Sequence, residues 1–186
     1  MSTTTHLTVP ATIRPALRWL ASFVGFPLGG LAAMVLVGPV DSRPTALLGG
    51  LVTGAVLGAV QAWALRHDRR ATITWAGATA LGLAAGLTLG SGLVDYGTGA
   101  GDLAVQGLVS GALVGLAQAV VLRDRLGRVA ALWPAYLAGA WALGWTVTTA
   151  AGVQVEDQFT VFGAAGAITV AALTTVLPIV LRKDNS

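Results

Sequence analysis

The chain has 186 residues, of which 55% are hydrophobic and 10% charged, with a net charge of +3 and no cysteine. An ordinary soluble domain is about 25% charged, so water is not the solvent for most of this chain. The absence of cysteine excludes disulfides, thiolate nucleophiles and cysteine metal sites.

Met1 to Ile13 is polar, and the first apolar run is long enough to span a membrane and lacks a small-residue cleavage pattern. It is therefore expected to stay as a span and not to be removed as a signal peptide. A spanning helix needs about 20 apolar residues to cross about 30 Å of hydrocarbon, and six stretches qualify: 19–40, 45–65, 71–94, 103–122, 129–153 and 159–181. They predict an all-α, polytopic membrane domain over 16–183, a polar cytoplasmic tail over 1–15, a short tail over 184–186 and no soluble catalytic domain.

In chain order, the first span carries Trp19, Gly25, Pro27 and Gly29. The second carries Gly50, Gly54 and Gly58 at four-residue spacing, then Gln61, and runs into the basic loop of Arg66, Arg69 and Arg70. Trp75 opens the third, which carries Gly82, Gly86 and Gly90 and ends at an outer loop flanked by Asp95 and Asp102. The fourth repeats the second: Gly107, Gly111, Gly115 and Gln118, followed by Arg123, Arg125 and Arg128. The fifth holds Trp133 and Pro134, and the sixth holds Pro178 and ends at Arg182 and Lys183.

Residues 50–66 return as 107–123 at an offset of 57, with glycines, glutamine and arginine in register, and a fainter copy runs from Gly166 to Arg182 with Leu177 opposite the glutamines. A fixed period marks a copied supersecondary unit. Two spans per unit restore the starting orientation, which predicts three tandem parallel repeats about a pseudo-threefold axis along the membrane normal. Trp19, Trp75 and Trp133 recur near one interface and read as aromatic-belt anchors.

Ten of the eleven basic residues fall on one side of this arrangement, with Arg43 opposite, while Asp41, Asp95, Asp102, Glu156 and Asp157 fall on Arg43's side. That asymmetry predicts both termini in the cytoplasm. Arg66, Arg69, Arg70, Arg123, Arg125, Arg128, Arg182 and Lys183 are then expected to meet anionic lipid headgroups at the inner face. Nucleic acid is not an expected partner, because the arginines sit in short loops and not on a folded soluble face.

In lipid, helices associate through close backbone approach at small residues. Gly25, Gly29, Gly50, Gly54, Gly58, Gly82, Gly86, Gly90, Gly107, Gly111 and Gly115 are the expected packing positions, with the second, third and fourth spans as the tight centre. Pro27, Pro134 and Pro178 are expected to break helical hydrogen bonding.

Gln61 and Gln118, five residues before their arginines, are the candidate intramembrane polar pair. They either line a polar path or join helices, and joining is the favoured reading, in which replacing both with leucine costs little. Thr79, Thr88, Ser91, Thr146, Thr148, Thr149, Thr169, Thr174 and Thr175 are expected to bond the carbonyl one turn back. Asp95, Asp102, Glu156 and Asp157 read as solvated loop acids, with an outer cation site as the alternative. His6 and His67 are expected to be neither metal ligands nor general bases, and no cofactor or metal is implied.

Gly99-Ala100-Gly101-Asp102 resembles the Gly-x-Gly-Asp motif of intramembrane aspartyl proteases and prepilin peptidases, which implies Asp102 as a catalytic acid with Asp95 as its partner. Those families take their aspartates from separate helices, whereas these two flank one loop, and a helix N-cap accounts for Asp102 more simply. Gln61-Ala-Trp-Ala-Leu-Arg66 and Gly139-Ala-Trp-Ala-Leu-Gly-Trp145 resemble uncharacterised bacterial multispanning proteins with repeated Gly-xxx-Gly-xx-Gln-xxx-Leu-Arg helices. That resemblance implies a multi-pass protein of the bacterial plasma membrane and no particular activity. The expected function is a non-catalytic scaffold, subunit or regulator that pairs through its glycine faces with itself or another membrane protein, and the alternative is a small-solute or ion transporter or channel.

Overall fold

A computed structural model describes residues 13–153 and 163–183. These residues form helices α1 (Arg14–Ala21), α2 (Gly25–Leu36), α3 (Arg43–Leu65), α4 (Arg69–Leu93), α5 (Ala100–Leu126), α6 (Trp133–Ala150), α7 (Ala164–Leu173) and α8 (Val176–Lys183), with no strand among them. Five stretches are long and apolar enough to cross a membrane: Arg14–Leu36, Arg43–Leu65, Arg69–Leu93, Ala100–Ala150 and Ala164–Leu181. Exposed Leu31, Val35, Leu81, Leu93 and Val120 give this bundle an apolar outer surface, as a bilayer solvent requires.

The first helix begins at Arg14 and ends at Leu36, so it starts inside the expected tail and stops short of Val40. Pro15 near its start supplies the φ of a first turn and needs no amide partner there. Helix α3 starts at a capping box in which Ser42 and Thr45 exchange side-chain and backbone bonds. It stops at Arg66, whose left-handed φ of 58° lets His67 N–H reach back to the Ala62 carbonyl at 3.0 Å. Asp68 then caps α4 by accepting from Ala71 N–H at 2.8 Å.

Each interior proline leaves its mark one turn upstream, where its missing N–H would have bonded. Pro27 follows the tight 3-10 turn Ser22–Val24 between α1 and α2, and Pro134 follows the 3-10 segment Gly127–Leu132 between α5 and α6. Pro178 follows the break at Thr174, whose carbonyl accepts from Leu177 N–H at 3.0 Å instead. The expected sixth span is thus two helices, α7 and α8, and the expected stretch 159–162 lies outside the described residues.

Glycine contacts fix how the helices run. A Cβ placed on Gly50, Gly54 or Gly58 would stand 2.6, 2.6 and 2.7 Å from the Cα of Ala84, Ala80 and Ala76. Partner numbers fall as glycine numbers rise, so α3 and α4 are antiparallel. The same holds for Gly82, Gly86 and Gly90 of α4 against Val114, Ser110 and Gln106 of α5. It holds again for Gly107, Gly111 and Gly115 of α5 against Trp141, Ala138 and Pro134 of α6, so the 51-residue stretch Ala100–Ala150 folds back on itself at Gly127. Gly127, at φ 54°, has the backbone conformation such a turn needs. Gly25 and Gly29 of α2 meet Leu57 and Thr53 of α3, and Gly166 of α7 meets Gly144 of α6. Backbones this close leave no room for any side chain larger than hydrogen, which is how bundles gain contact where the hydrophobic effect is absent.

Candidate functional site

Three indoles and two amides meet inside the bundle. Trp75 Nε1 of α4 donates to Gln61 Oε1 of α3 at 3.1 Å, and Trp133 Nε1 of α6 donates to Gln118 Oε1 of α5 at 2.9 Å. The Gln118 amide nitrogen donates onward to Thr79 Oγ1 at 3.0 Å and to Gln61 Oε1 at 3.4 Å. Trp19 Nε1 of α1 donates to Thr174 Oγ1 at the end of α7, at 2.9 Å. In every case a tryptophan on one helix reaches a polar side chain on the neighbour.

These tryptophans are not belt residues at the lipid surface. Trp19, Trp75 and Trp133 are 2%, 0% and 8% exposed, because an indole N–H that finds an acceptor in the interior can be buried with its whole ring. Trp63 is the exposed one, at 61%. Leu177, aligned with the glutamines by sequence, is buried and apolar. Thr174 takes the acceptor role three residues earlier, where Pro178 ends the regular helix. Its hydroxyl also donates to the Val170 carbonyl at 2.7 Å, so both its functions are used.

The space enclosed by Trp19, Ser22, Gln61, Gln118, Trp133 and Thr174 is about 10 Å³, at the lower limit for one water molecule. A second enclosed space of about 30 Å³ lies beyond, lined by Thr53, Leu83, Leu87, Gln106 and Trp145. Phe26 and Trp141 line both and meet edge to face at 5.4 Å, forming a partition.

Gln106 carries no signal in the repeat pattern, because it lies near the loop between α4 and α5. It is 1% exposed, donates to Ser110 Oγ at 2.8 Å, and leaves Oε1 without a partner. Its signal was present in the spacing: Gln106, Ser110, Val114 and Gln118 recur every four residues along one buried stripe of α5. Thr148 Oγ1 is likewise buried without a hydrogen bond. The other candidate hydroxyls bond back along their own helices: Thr79 to Trp75, Thr88 to Ala84, Ser91 to Leu87, Thr146 to Ala142 and Thr169 to Ala165. Thr149, Thr174 and Thr175 do the same to Trp145, Val170 and Ala171.

Asp102 is not the N-cap of α5, a position that Gly99 holds, but stands at N3, where it accepts from Gly99 N–H at 3.3 Å and faces the helix dipole. Asp95 is exposed in the loop before it, and Glu156 and Asp157 lie outside the described residues. Arg66, Arg69, Arg70, Arg123, Arg125 and Arg128 are exposed at helix ends, while the side chains of Arg182 and Lys183 lie outside the described set. His67 stacks edge to face on Trp75 at 5.9 Å. Burial, then the nearby Arg125 charge, push its imidazole below the usual 6.5, with Asp68 pulling the other way. No protein-family model, curated protein or solved structure matches the chain.

Proposed function

We propose that this is a non-catalytic integral membrane protein of the bacterial plasma membrane, a scaffold, subunit or regulator whose buried amides join its helices. The observation that carries this reading is the use made of Gln61 and Gln118. Their carbonyl oxygens accept from Trp75 and Trp133, the Gln118 nitrogen serves two acceptors, and the space left among them is about 10 Å³. A solute path needs polar groups that face water, and these face each other. At about 0.6 kcal/mol per interhelical bond in a bilayer, the network contributes a few kcal/mol, a sizeable share of the 5–15 kcal/mol that holds a folded domain together.

The architecture that goes with this reading is six membrane passes as three tandem two-helix units, both termini inside. Supporting it, Gly25 and Gly29 meet Leu57 and Thr53 as Gly82 and Gly86 meet Val114 and Ser110, at matched positions 57 residues apart. The Trp75–Gln61 and Trp133–Gln118 bonds are related in nearly the same way, the glutamines 57 and the tryptophans 58 residues apart, and Trp19–Thr174 closes the circle between the first unit and the last.

A transport role is the second reading, favoured by two small spaces on either side of Phe26 and Trp141, mostly apolar but each with a glutamine in its wall. One experiment separates them. Proteoliposomes containing wild type and a folded Gln61→Leu, Gln118→Leu variant are assayed for ion and small-solute flux. Scaffolding expects no flux from either, and a wild-type flux that the variant loses would overturn it.

A further inference from the structure

At the arginine-rich end of the bundle, four helices leave a cleft of about 230 Å³. Arg18 of α1, His67 after α3 and Arg125 of α5 supply its polar wall, and Pro15, Leu65 and Pro178 its apolar one. None of the described residues lining it is acidic. The neighbouring groove, which shares His67 and Arg125, differs in this respect, since Asp68 and Asp124 line it beside Arg70. Among the described residues, positive charge therefore goes unanswered on one side of the His67–Arg125 pair and is balanced on the other.

Arg18 adds an unpartnered buried donor. Its Nε is buried and has no hydrogen-bond partner. A buried guanidinium N–H without an acceptor is costly and uncommon. A planar fork of donors that shares a cleft with a second arginine suits phosphate oxygens.

We propose that Arg18, Arg125 and His67 form a binding site for a phosphate-bearing anion, with an anionic phospholipid headgroup as its source. The lipid source is favoured by the apolar walls and by Leu17, 48% exposed beside Arg18 on a membrane-length helix. This goes beyond the scaffold role and rests on the membrane reading only for the source of the anion. Carbonate extraction of the chain from membranes would sink that reading and reject the lipid source, while the response to inorganic and glycerol phosphate decides the anion site by itself.

The test uses the full chain in an uncharged detergent, with thermal stability read against added phosphatidylglycerol, phosphatidylcholine, glycerol phosphate and inorganic phosphate. Phosphatidylglycerol is expected to raise the melting temperature more than phosphatidylcholine, and equal effects of the two would overturn charge recognition. Arg18→Gln with Arg125→Gln should weaken the phosphatidylglycerol response about tenfold or more, the value of a lost charged hydrogen bond. Arg66→Gln with Arg69→Gln removes the same charge outside the cleft and should weaken the response far less than the cleft pair does, and an equal loss there would reduce the effect to surface electrostatics and end the proposal. A response to inorganic or glycerol phosphate as strong as to the lipid supports the phosphate chemistry and rejects the lipid source.

A second readout does not depend on the variants folding. In a His6→Gln background, the His67 imidazole signal is titrated with and without phosphatidylglycerol. The groups facing it are Arg18, Arg125, Arg70, Asp68 and Asp124, and an anion that offsets Arg125 should move the midpoint up. An unmoved midpoint at saturating lipid would overturn the site.

Discussion

Trp19 donates its indole N–H to Thr174 Oγ1 at 2.9 Å, tying α1 to the end of α7 across 155 residues of sequence. Thr174→Val keeps the shape and removes the acceptor, so a buried indole N–H is left unpaired at a cost of about 1–3 kcal/mol. Thr174→Ser should lose far less. Trp19→Phe added to Thr174→Val should recover part of the loss, read as a coupling energy in a detergent unfolding cycle. Strict additivity of the two substitutions would mean that the bond contributes nothing.

The partners of the glutamines change what their removal costs. If Gln61 and Gln118 bonded mainly to each other, converting both to leucine would be nearly neutral. Here the change strands Trp75 and Trp133, and about 1–3 kcal/mol is expected for each orphaned indole. Gln118→Leu, which also releases Thr79, should destabilise more than Gln61→Leu. Adding Trp75→Phe and Trp133→Phe should restore part of the melting temperature, and no restoration would mean that the loss arises from cavity formation.

Glycine positions divide by what a side chain would meet. Gly54→Leu or Gly111→Leu would drive into the Ala80 or Ala138 backbone, whereas Gly77 and Gly139 are helical, exposed and have nothing within 4 Å of an added Cβ. The first pair should lower detergent melting temperature sharply or abolish folding, and the second should be tolerated. Gly163 is a poorer control than these, since its Cβ would stand 3.1 Å from Thr148.

Topology is checked by single cysteines. Replacements of Ser42 and Thr98 should react with an impermeant thiol reagent in intact cells, and a replacement of His67 should not, as the basic-residue asymmetry requires. Labelling at 67 alone would invert the arrangement.

His67 carries a pH dependence of known sign. Its folded-state value lies below 6.5, so the unfolded chain binds the proton more readily. Stability is then fully present above 6.5 and falls as the pH drops through that value towards the lower folded one. His67→Gln should flatten melting temperature against pH in that range, and Arg125→Gln should shift the decline to lower stability loss by easing the charge on the imidazole. An unchanged profile in His67→Gln would assign the dependence elsewhere.

Sequence alone determined that the chain is helical and apolar, where its basic ends lie, and which glycines could let backbones touch. Those features are local: hydropathy over about 20 residues, a four-residue period and a turn-forming proline are all written in neighbouring positions. It could not determine what the tryptophans do, because an indole at a helix end reads the same whether it faces lipid or turns inward to an amide 14 or 15 residues away. Nor could it replace Leu177 with Thr174, since that depends on Pro178 breaking the ladder and on α1 lying alongside α7. Gln106 was hidden for the same reason: its burial comes from α4 and α6 closing over the N-terminal end of α5. Hydrogen-bond partners and enclosed space are properties of helices meeting in three dimensions, and only the tertiary structure decides them.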